Sequence, residues 1–472
     1  MEKKISSSGA TRPPIVVILG HVDHGKTTLL DNVRSTNVAA KEAGGITQSI
    51  GASEVSTKEG KQITFIDTPG HAAFSNMRAR GAKLSDIAIL VVAAGDGVKP
   101  QTKEALEYIL EAKIPFIVAA TKIDLPTANL ETVRSQLEKE GVLFEGRGGD
   151  VPLLGVSGKT GKGVQELLEM ITLVSELNDI KGDPEGSLEA LIVETGKDNR
   201  GPTATCVVRN GQLEVGCEIV SEIERIRVRG LFDWNEKPVQ SVGPGEPALV
   251  LGFKNVPPVG SRIWGVDQKE ILPTISMQKK SVGISVEEGQ IPIVIKAQNA
   301  GTLEAVISNL PGKIVVLASG VGDVTESDIF LAKSSNALIF TFESKTPHQV
   351  RKLAETEGIS IESFTIIYEL FERLEEIIEK GKVEILGRAE VLAEFPYNAK
   401  KIAGCKIIQG KITKKDALIL TRGDKKIGEM SVISLKKGRE DIVEAKQGEE
   451  CGIIFSPQLD FKIGDVILSV RK

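Results

Sequence analysis

Residues Gly20-His21-Val22-Asp23-His24-Gly25-Lys26-Thr27 satisfy the pattern G-x-x-x-x-G-K-[ST] directly after the apolar run Ile15-Val16-Val17-Ile18-Leu19. Such a turn needs a strand before it and a helix after it, so the start of the chain is committed to an α/β layer structure. Its glycines let consecutive backbone N–H groups converge on a phosphate, and the following helix turns its positive end towards the same charge. Lys26 then reaches the β- and γ-phosphates, the Thr27 hydroxyl is a ligand for Mg²⁺, and Thr28 continues the helix that runs to Val33. The segment predicts a nucleotide held over a helix end.

The α/β alternation continues to about Leu177. Strands are expected at Ile15–Leu19, Ile63–Ile66, Ile87–Ala93, Pro115–Ala120 and Val151–Val156, in a parallel sheet wrapped by helices. Beyond Lys181-Gly182-Asp183-Pro184 the character changes. From Leu188 to Asp267, β-branched runs are broken by Asn-Gly, Gly-Pro and Pro-Pro, the grammar of a small antiparallel barrel. A third region returns to alternation, with strands at Ile291–Ala297 and Ile314–Ala318 and helices at Thr302–Leu310 and Val350–Glu357. Ile367, Leu370, Phe371, Leu374, Ile377 and Ile378 then recur at helical spacing up to Gly381, which predicts a helix between two domains. The last 90 or so residues are β-rich again. They echo the second region: Gly211–Gly216 against Gly410–Asp416, and Gly245-Glu246 leading to Gly260-Ser261 against Gly448-Glu449 leading to Gly464-Asp465. The echo suggests two barrels of one type.

Asp67-Thr68-Pro69-Gly70-His71 follows the second predicted strand, where a P-loop nucleotidase keeps a carboxylate linked to its metal. Asp67 is expected to hold a metal-bound water and the Gly70 N–H to sense the γ-phosphate. Thr47, after Gly44-Gly45-Ile46, offers a hydroxyl that reaches Mg²⁺ only with the triphosphate present, which makes an order–disorder switch. Base selection is expected at Thr121-Lys122-Ile123-Asp124, because a carboxylate at Asp124 can accept both the N1–H and the exocyclic amino group of guanine, and adenine offers neither in that geometry. The usual pattern there is N-K-x-D, and Thr121 departs from it. Ser157-Gly158-Lys159 is similar to the S-A-K element whose backbone N–H meets guanine O6.

Together G-H-V-D-H-G-K-T, G-G-I-T-Q and D-T-P-G-H resemble the translational GTPases, and the segments 44–51, 71–74 and 77–82 resemble bacterial translation initiation factor 2. The likeness extends from Arg12 over nearly the whole chain, without the long N-terminal extension of most bacterial members. It implies a multidomain α/β and β protein: an N-terminal tail 1–13, a P-loop GTPase domain with a parallel sheet 14–181, a β-barrel 182–270, an α/β sandwich domain 271–362, a long connector helix 363–381 and a C-terminal β-barrel 382–472. It implies GTP, GDP and Mg²⁺ as ligands, with His71 turned towards the attacking water through an apolar gate of Val22 and Ile46. As partners it implies the 30S and 50S ribosomal subunits, formylmethionyl initiator tRNA and other initiation factors. On the C-terminal barrel, Cys405, Glu450, Cys451 and Gly452 match the family's initiator-tRNA pocket, Lys436 and Lys437 fall where a Lys-Arg pair is expected, Gly438 replaces the usual aromatic residue, and Phe395 is a candidate aromatic wall.

Charge agrees with that assignment. The chain carries a net −5, but residues 382–472 hold 18 Lys and Arg against 13 Asp and Glu, so the polyanion belongs at this end. Four cysteines without C-x-x-C spacing point to a reduced, cytoplasmic setting. The longest apolar run, Ile87–Ala94, is far short of the roughly 20 residues that span a bilayer, so no membrane role is expected; the chain is expected to act as a monomer. An elongation-type factor carrying aminoacyl-tRNA, or a ribosome-binding module that uses GTP structurally, are the alternatives; the segment 70–82, the third region and the helix at 363–380 speak against the first, and Thr27, Thr47, Asp67 and His71 against the second.

Overall fold

The computed structural model describes residues 10–36, 47–266, 286–287, 289–380, 384–397, 400–423, 425–438 and 440–471. Ile46, named above for the apolar gate, lies outside them. The chain forms two compact units, Met1–Glu372 and Arg373–Lys472.

In the first unit a six-stranded sheet runs in the order Gly51–Ser56, Gln62–Asp67, Ile15–Gly20, Ile87–Ala93, Phe116–Thr121, Leu153–Gly155. Helices α1 (Lys26–Arg34), α2 (Ser75–Leu84), α3 (Pro100–Ala112), α4 (Leu130–Lys139) and α5 (Val164–Leu177) connect and follow its strands. Ile15–Gly20 is buried along its whole length, as a central parallel strand covered on both faces must be. The expected parallel sheet is corrected in one respect: Gly51–Ser56 pairs antiparallel with Gln62–Asp67 as an extra edge strand. Only Ser53 and Val55 of that strand are buried, so its sequence carries little apolar signal. The strand expected at Val151–Val156 is shorter, Leu153–Gly155.

Next comes an antiparallel sheet in which Glu189–Asp198 and Gly201–Asn210 form the central hairpin. Its closure runs through the segment 225–232: Val228 donates its N–H to Cys217, and Arg229 donates to Leu251, so one segment bridges the two sides of the sheet. The barrel interior is Ala190, Ile192, Ala204, Cys206, Val208, Val250 and their neighbours. In the third region, four parallel strands in the order Ile314–Val321, Ile291–Ala297, Leu338–Phe342, Ile361–Phe364 alternate with α6 (Ala300–Ser308), α7 (Glu326–Ser335) and α8 (His348–Glu357). Helix α9 covers Ile367–Lys380, and Ile361–Phe364 ahead of it is a strand, which shortens the helix expected from 363.

The second unit is a closed six-stranded barrel, because Glu384–Tyr397 pairs with both Lys400–Thr413 and Val466–Arg471. The echo between the two β regions extends to individual hydrogen bonds. Gly245 donates to Val208 O at 2.7 Å and Gly448 to Ile407 O at 2.8 Å; Gly260 donates to Ile192 O at 2.8 Å and Gly464 to Val391 O at 2.9 Å. All four glycines sit at φ between 83° and 90°, the left-handed region that favours glycine. Glu246 and Glu449 close the same turn, each carboxylate accepting the N–H three residues earlier.

Candidate nucleotide site

The site lies at the carboxyl ends of the central strands, where the strand order reverses direction, the position at which open α/β sheets hold ligands. Gly20 is forced: at φ 151° a Cβ would stand 2.4 Å from the Val91 carbonyl oxygen. Asp23 (φ 61°) and Gly25 (φ 85°) turn the loop back so that α1 starts at Lys26. A cleft of about 210 Å³ is lined by Val22, Asp23, Gly25, Lys26, Thr27, Thr28, Thr47, Gly70, His71, Lys122 and Tyr368. Ten of these eleven residues were singled out from the sequence; Tyr368 was not.

Lys26 is buried and donates its ammonium to the carbonyls of Gly20 (3.0 Å) and His21 (2.7 Å), so it is held folded over its own loop. Burial pulls its pKa down to about 8, against the opposing pull of the Asp67 charge. The Thr27 and Thr47 hydroxyls are 3.0 Å apart. Asp67 is buried, burial raises its pKa, and its Oδ1 has no hydrogen-bond partner. Two hydroxyls and an orphaned buried carboxylate oxygen are hard oxygen donors of the kind Mg²⁺ takes, so the residues present fit the ion. Gly70 is packed so tightly that a Cβ there would meet the Lys26 ammonium at 2.4 Å and Val22 Cα at 3.3 Å.

His71 Nδ1 accepts the Ala73 N–H at 3.0 Å, capping the short turn Ala72–Phe74. The neutral ring therefore carries its proton on Nε2, and burial followed by the Arg78 charge lowers its pKa. Arg78, fully buried, donates to the carbonyls of Pro69 and His71 and pairs with Glu104 at 2.8 Å, which fixes the backbone on both sides of Gly70. In the sequence Arg78 stands out only as part of the segment 77–82 that carries a family likeness. His24 is buried in the loop with its ring against the Val91 backbone, and burial lowers its pKa to about 4. Its imidazole and that of His21 meet edge to face at 5.0 Å.

At the base-selecting end, Asp124 is exposed and accepts the Ser157 hydroxyl at 2.7 Å, which lowers its pKa. Lys122, at φ 60°, pairs with Asp96 at 3.6 Å. The departure at Thr121 has a clear local account: its buried hydroxyl donates to the His24 carbonyl at 2.5 Å and ties this strand end to the phosphate loop. Gly158 lies against α1, where a Cβ would be 2.8 Å from the Leu29 nitrogen. Lys159 is exposed beside Asp124.

The residues singled out on the C-terminal barrel divide by face. Cys405 and Cys451 face each other across adjacent strands and point into the core. Their neighbours alternate outward. Gly404 is opposite Gly452, which is opposite Lys436, so two glycines in a row leave a shallow floor on the outer surface. Phe395, 53% exposed, stands over Gly404. Glu450 is exposed, and Lys437 is paired with Glu449 at 2.8 Å.

Three family models match in succession: "Elongation factor Tu GTP binding domain" over residues 11–176, "Elongation factor G domain 2" over 187–266 and "Translation-initiation factor 2" over 268–375. "Translation initiation factor IF-2" of Thermotoga petrophila is 42% identical over 96% of this chain and 70% of its own length. The protein of the same name from Aquifex aeolicus is 40% identical over 97% of this chain and 60% of its own. A solved structure, "Crystal structure of GDP-bound aIF5B from Aeropyrum pernix", matches 98% of this chain and 92% of that one at 27% identity and a TM-score of 0.47.

Proposed function

This chain belongs to the translation initiation factor IF-2 family and is a GTPase of translation initiation, and from that premise we propose that it brings formylmethionyl initiator tRNA to the 30S subunit and promotes joining of the 50S subunit, with hydrolysis triggered by the ribosome. The observation that supports it most is the convergence of Lys26, Thr27, Thr47, Gly70 and His71 on one cleft, with Asp67 beneath them.

In this reading the 14–181 domain binds the nucleotide. The phosphate-loop amides and Lys26 hold the phosphates, the Gly70 N–H faces the γ-phosphate, and Asp124, braced by Ser157, selects guanine with help from the backbone at Gly158 and Lys159. Thr27, Thr47 and Asp67 would hold Mg²⁺, which when bound offsets the phosphate charge. His71 orients the attacking water by donating from Nε2, and Val22 with Ile46 limits its approach. No arginine finger stands among these residues, so turnover without an activator is slow. The outer face of the C-terminal barrel, from Phe395 over the Gly404–Gly452 floor to Lys436 and Lys437, with Glu450 at its edge, takes the aminoacyl end of initiator tRNA. The net charge of +5 over residues 382–472 supports a polyanion there. Cys405 and Cys451 set that floor from inside. The factor acts in the cytoplasm as a monomer, alongside other initiation factors; among the described residues no helix is long and apolar enough to cross a membrane.

GTP turnover with and without 70S ribosomes is the test. We expect stimulation that His71→Ala reduces by about 100-fold or more. Absence of ribosomal stimulation in the unaltered protein overturns the reading, and equal protection of formylmethionyl-tRNA and methionyl-tRNA from deacylation overturns recognition of the formyl group.

A further inference from the structure

Tyr368 lies in the first turn of α9, well over three hundred residues along the chain from the phosphate loop, yet it lines the nucleotide cleft. Its ring meets the His71 imidazole edge to face, with centroids 4.2 Å apart and planes at 89°. It is also close enough to the phosphate loop that Asp23, after burial, contributes to raising its phenol pKa. The turn that carries it is fixed from the other switch segment. Gln48, next to Thr47 and buried, accepts the Ile367 N–H at 3.1 Å and donates to the Thr365 carbonyl at 2.7 Å and to Glu343 at 3.1 Å. Ile367 and Leu370, on either side of Tyr368, are fully buried, so the turn that carries the ring is anchored.

We propose that Tyr368 is a positioning residue for GTP hydrolysis: packed edge-on against His71, its ring holds the imidazole at the rim of the cleft and so sets the slow rate of turnover without ribosomes. This rests on the role given to His71 above. To turn towards a water over the γ-phosphate, the imidazole must give up the contact with Tyr368. An aromatic pair of this geometry biases an equilibrium by about 2- to 12-fold, and basal turnover is reduced by that factor. The ribosome supplies the missing orientation by its own contacts, so the stimulated rate does not depend on the ring.

The test uses the full chain. Tyr368→Ala is expected to raise basal kcat for GTP by about 2- to 12-fold, leave KM within about 2-fold, and leave ribosome-stimulated kcat as it was. His71 in this variant, followed by NMR, titrates closer to the ordinary histidine value because the ring no longer excludes water from it. Tyr368→Phe, which keeps the ring, restores the parent behaviour in both measurements. Adding His71→Ala to Tyr368→Ala removes the gain in basal rate, since the ring acts only through the imidazole. An unchanged or lower basal kcat in Tyr368→Ala overturns the proposal, as does a gain that survives in the double variant. Should Tyr368→Ala not fold, Tyr368→Leu keeps the apolar bulk without the ring, and the absence of any rise in its basal kcat is equally decisive. If His71→Ala alone keeps full ribosomal stimulation, it is the assignment of His71 that falls.

Discussion

Single atoms decide how tightly the phosphate loop is held. The N-K-x-D pattern was legible in the sequence except at Thr121, and the sequence does not show what replaces the missing asparagine, because the partner is a backbone carbonyl 97 positions away. In the fold the Thr121 hydroxyl supplies that link to His24. Thr121→Val keeps the shape and removes the donor, leaving a buried carbonyl short of a partner at a cost on the order of 1–3 kcal/mol. We expect GDP affinity measured by calorimetry to fall about 10-fold, within that range, and ATP binding to stay negligible; an unchanged GDP affinity would show that the bond carries nothing. Lys26 was legible as a phosphate ligand, whereas its depressed pKa was not, since burial of the ammonium over its own loop is a tertiary property. With a free-state pKa near 8, the charged form that an anionic phosphate needs is depleted as pH rises past that value, and the bound phosphate drives the pKa back up. GDP binding at pH 9 should therefore take up close to one proton and weaken as pH rises from 8. Calorimetry in two buffers of different ionisation enthalpy measures the uptake, and Lys26→Met should abolish it.

Elements were legible where their apolar periodicity was their own. The buried central strands and α9 belong to this class, and so do the turn glycines repeated in the two barrels. Gly51–Ser56 was missed because an edge strand with one side open needs few apolar residues. Helix α7 was missed although Thr325 and Asp328 form a reciprocal cap at its start, a signal that was there to be used. What no periodicity could reveal is that α9 begins against both switch segments: Gln48 caps it, and Tyr368, between its apolar positions, faces the cleft. Replacing Gln48 by Ala removes an acceptor for the Ile367 N–H and two donor bonds at a buried site. The cost should be about 1–2 kcal/mol, as for the loss of a helix cap. Hydrogen exchange should show the amides of 367–371 opening about 5- to 30-fold more readily, with the amides of α8 unaffected. Equal protection in the two proteins would mean that buried Ile367 and Leu370 hold this end without the cap.

At the scale of the whole chain, two units with separate cores should unfold in separate transitions. A buried carboxylate in each stands in an opposite electrostatic situation. Glu194, in the first unit, accepts N–H bonds from Thr195 and Gly301, but its Oε2 is buried without a partner, and burial raises its pKa to about 7. Between about pH 4.5 and 7 the folded unit keeps on Glu194 a proton that the unfolded chain has released, so this group's contribution to stability falls as pH rises across that window, by about 3 kcal/mol. Asp465, in the barrel, accepts two bonds from Arg422 at 2.8 and 2.9 Å, and that pairing lowers its pKa. Its contribution is complete above the unfolded value near 4 and is lost only as pH falls through the folded one. Both tryptophans, Trp234 and Trp264, lie in the first unit, so their fluorescence in urea reports that transition alone, and hydrogen exchange of 384–471 reports the other. Buried His24, in the same unit, has its pKa lowered to about 4 and adds stability as pH rises towards the unfolded value near 6.5, opposing Glu194. Raising the pH from 4.5 to 7 should therefore move the first transition by less than Glu194 alone would give and leave the barrel nearly unchanged, and acidification below 4 should weaken the barrel. Relative to the parent, Glu194→Gln should make the first transition strengthen as pH rises from 4.5 to 7, the contribution of His24 being left unopposed, and Asp465→Asn should flatten the acid limb of the second. If both transitions shift together in either single variant, the carboxylates are not acting within their own units, and the two-unit description of stability fails.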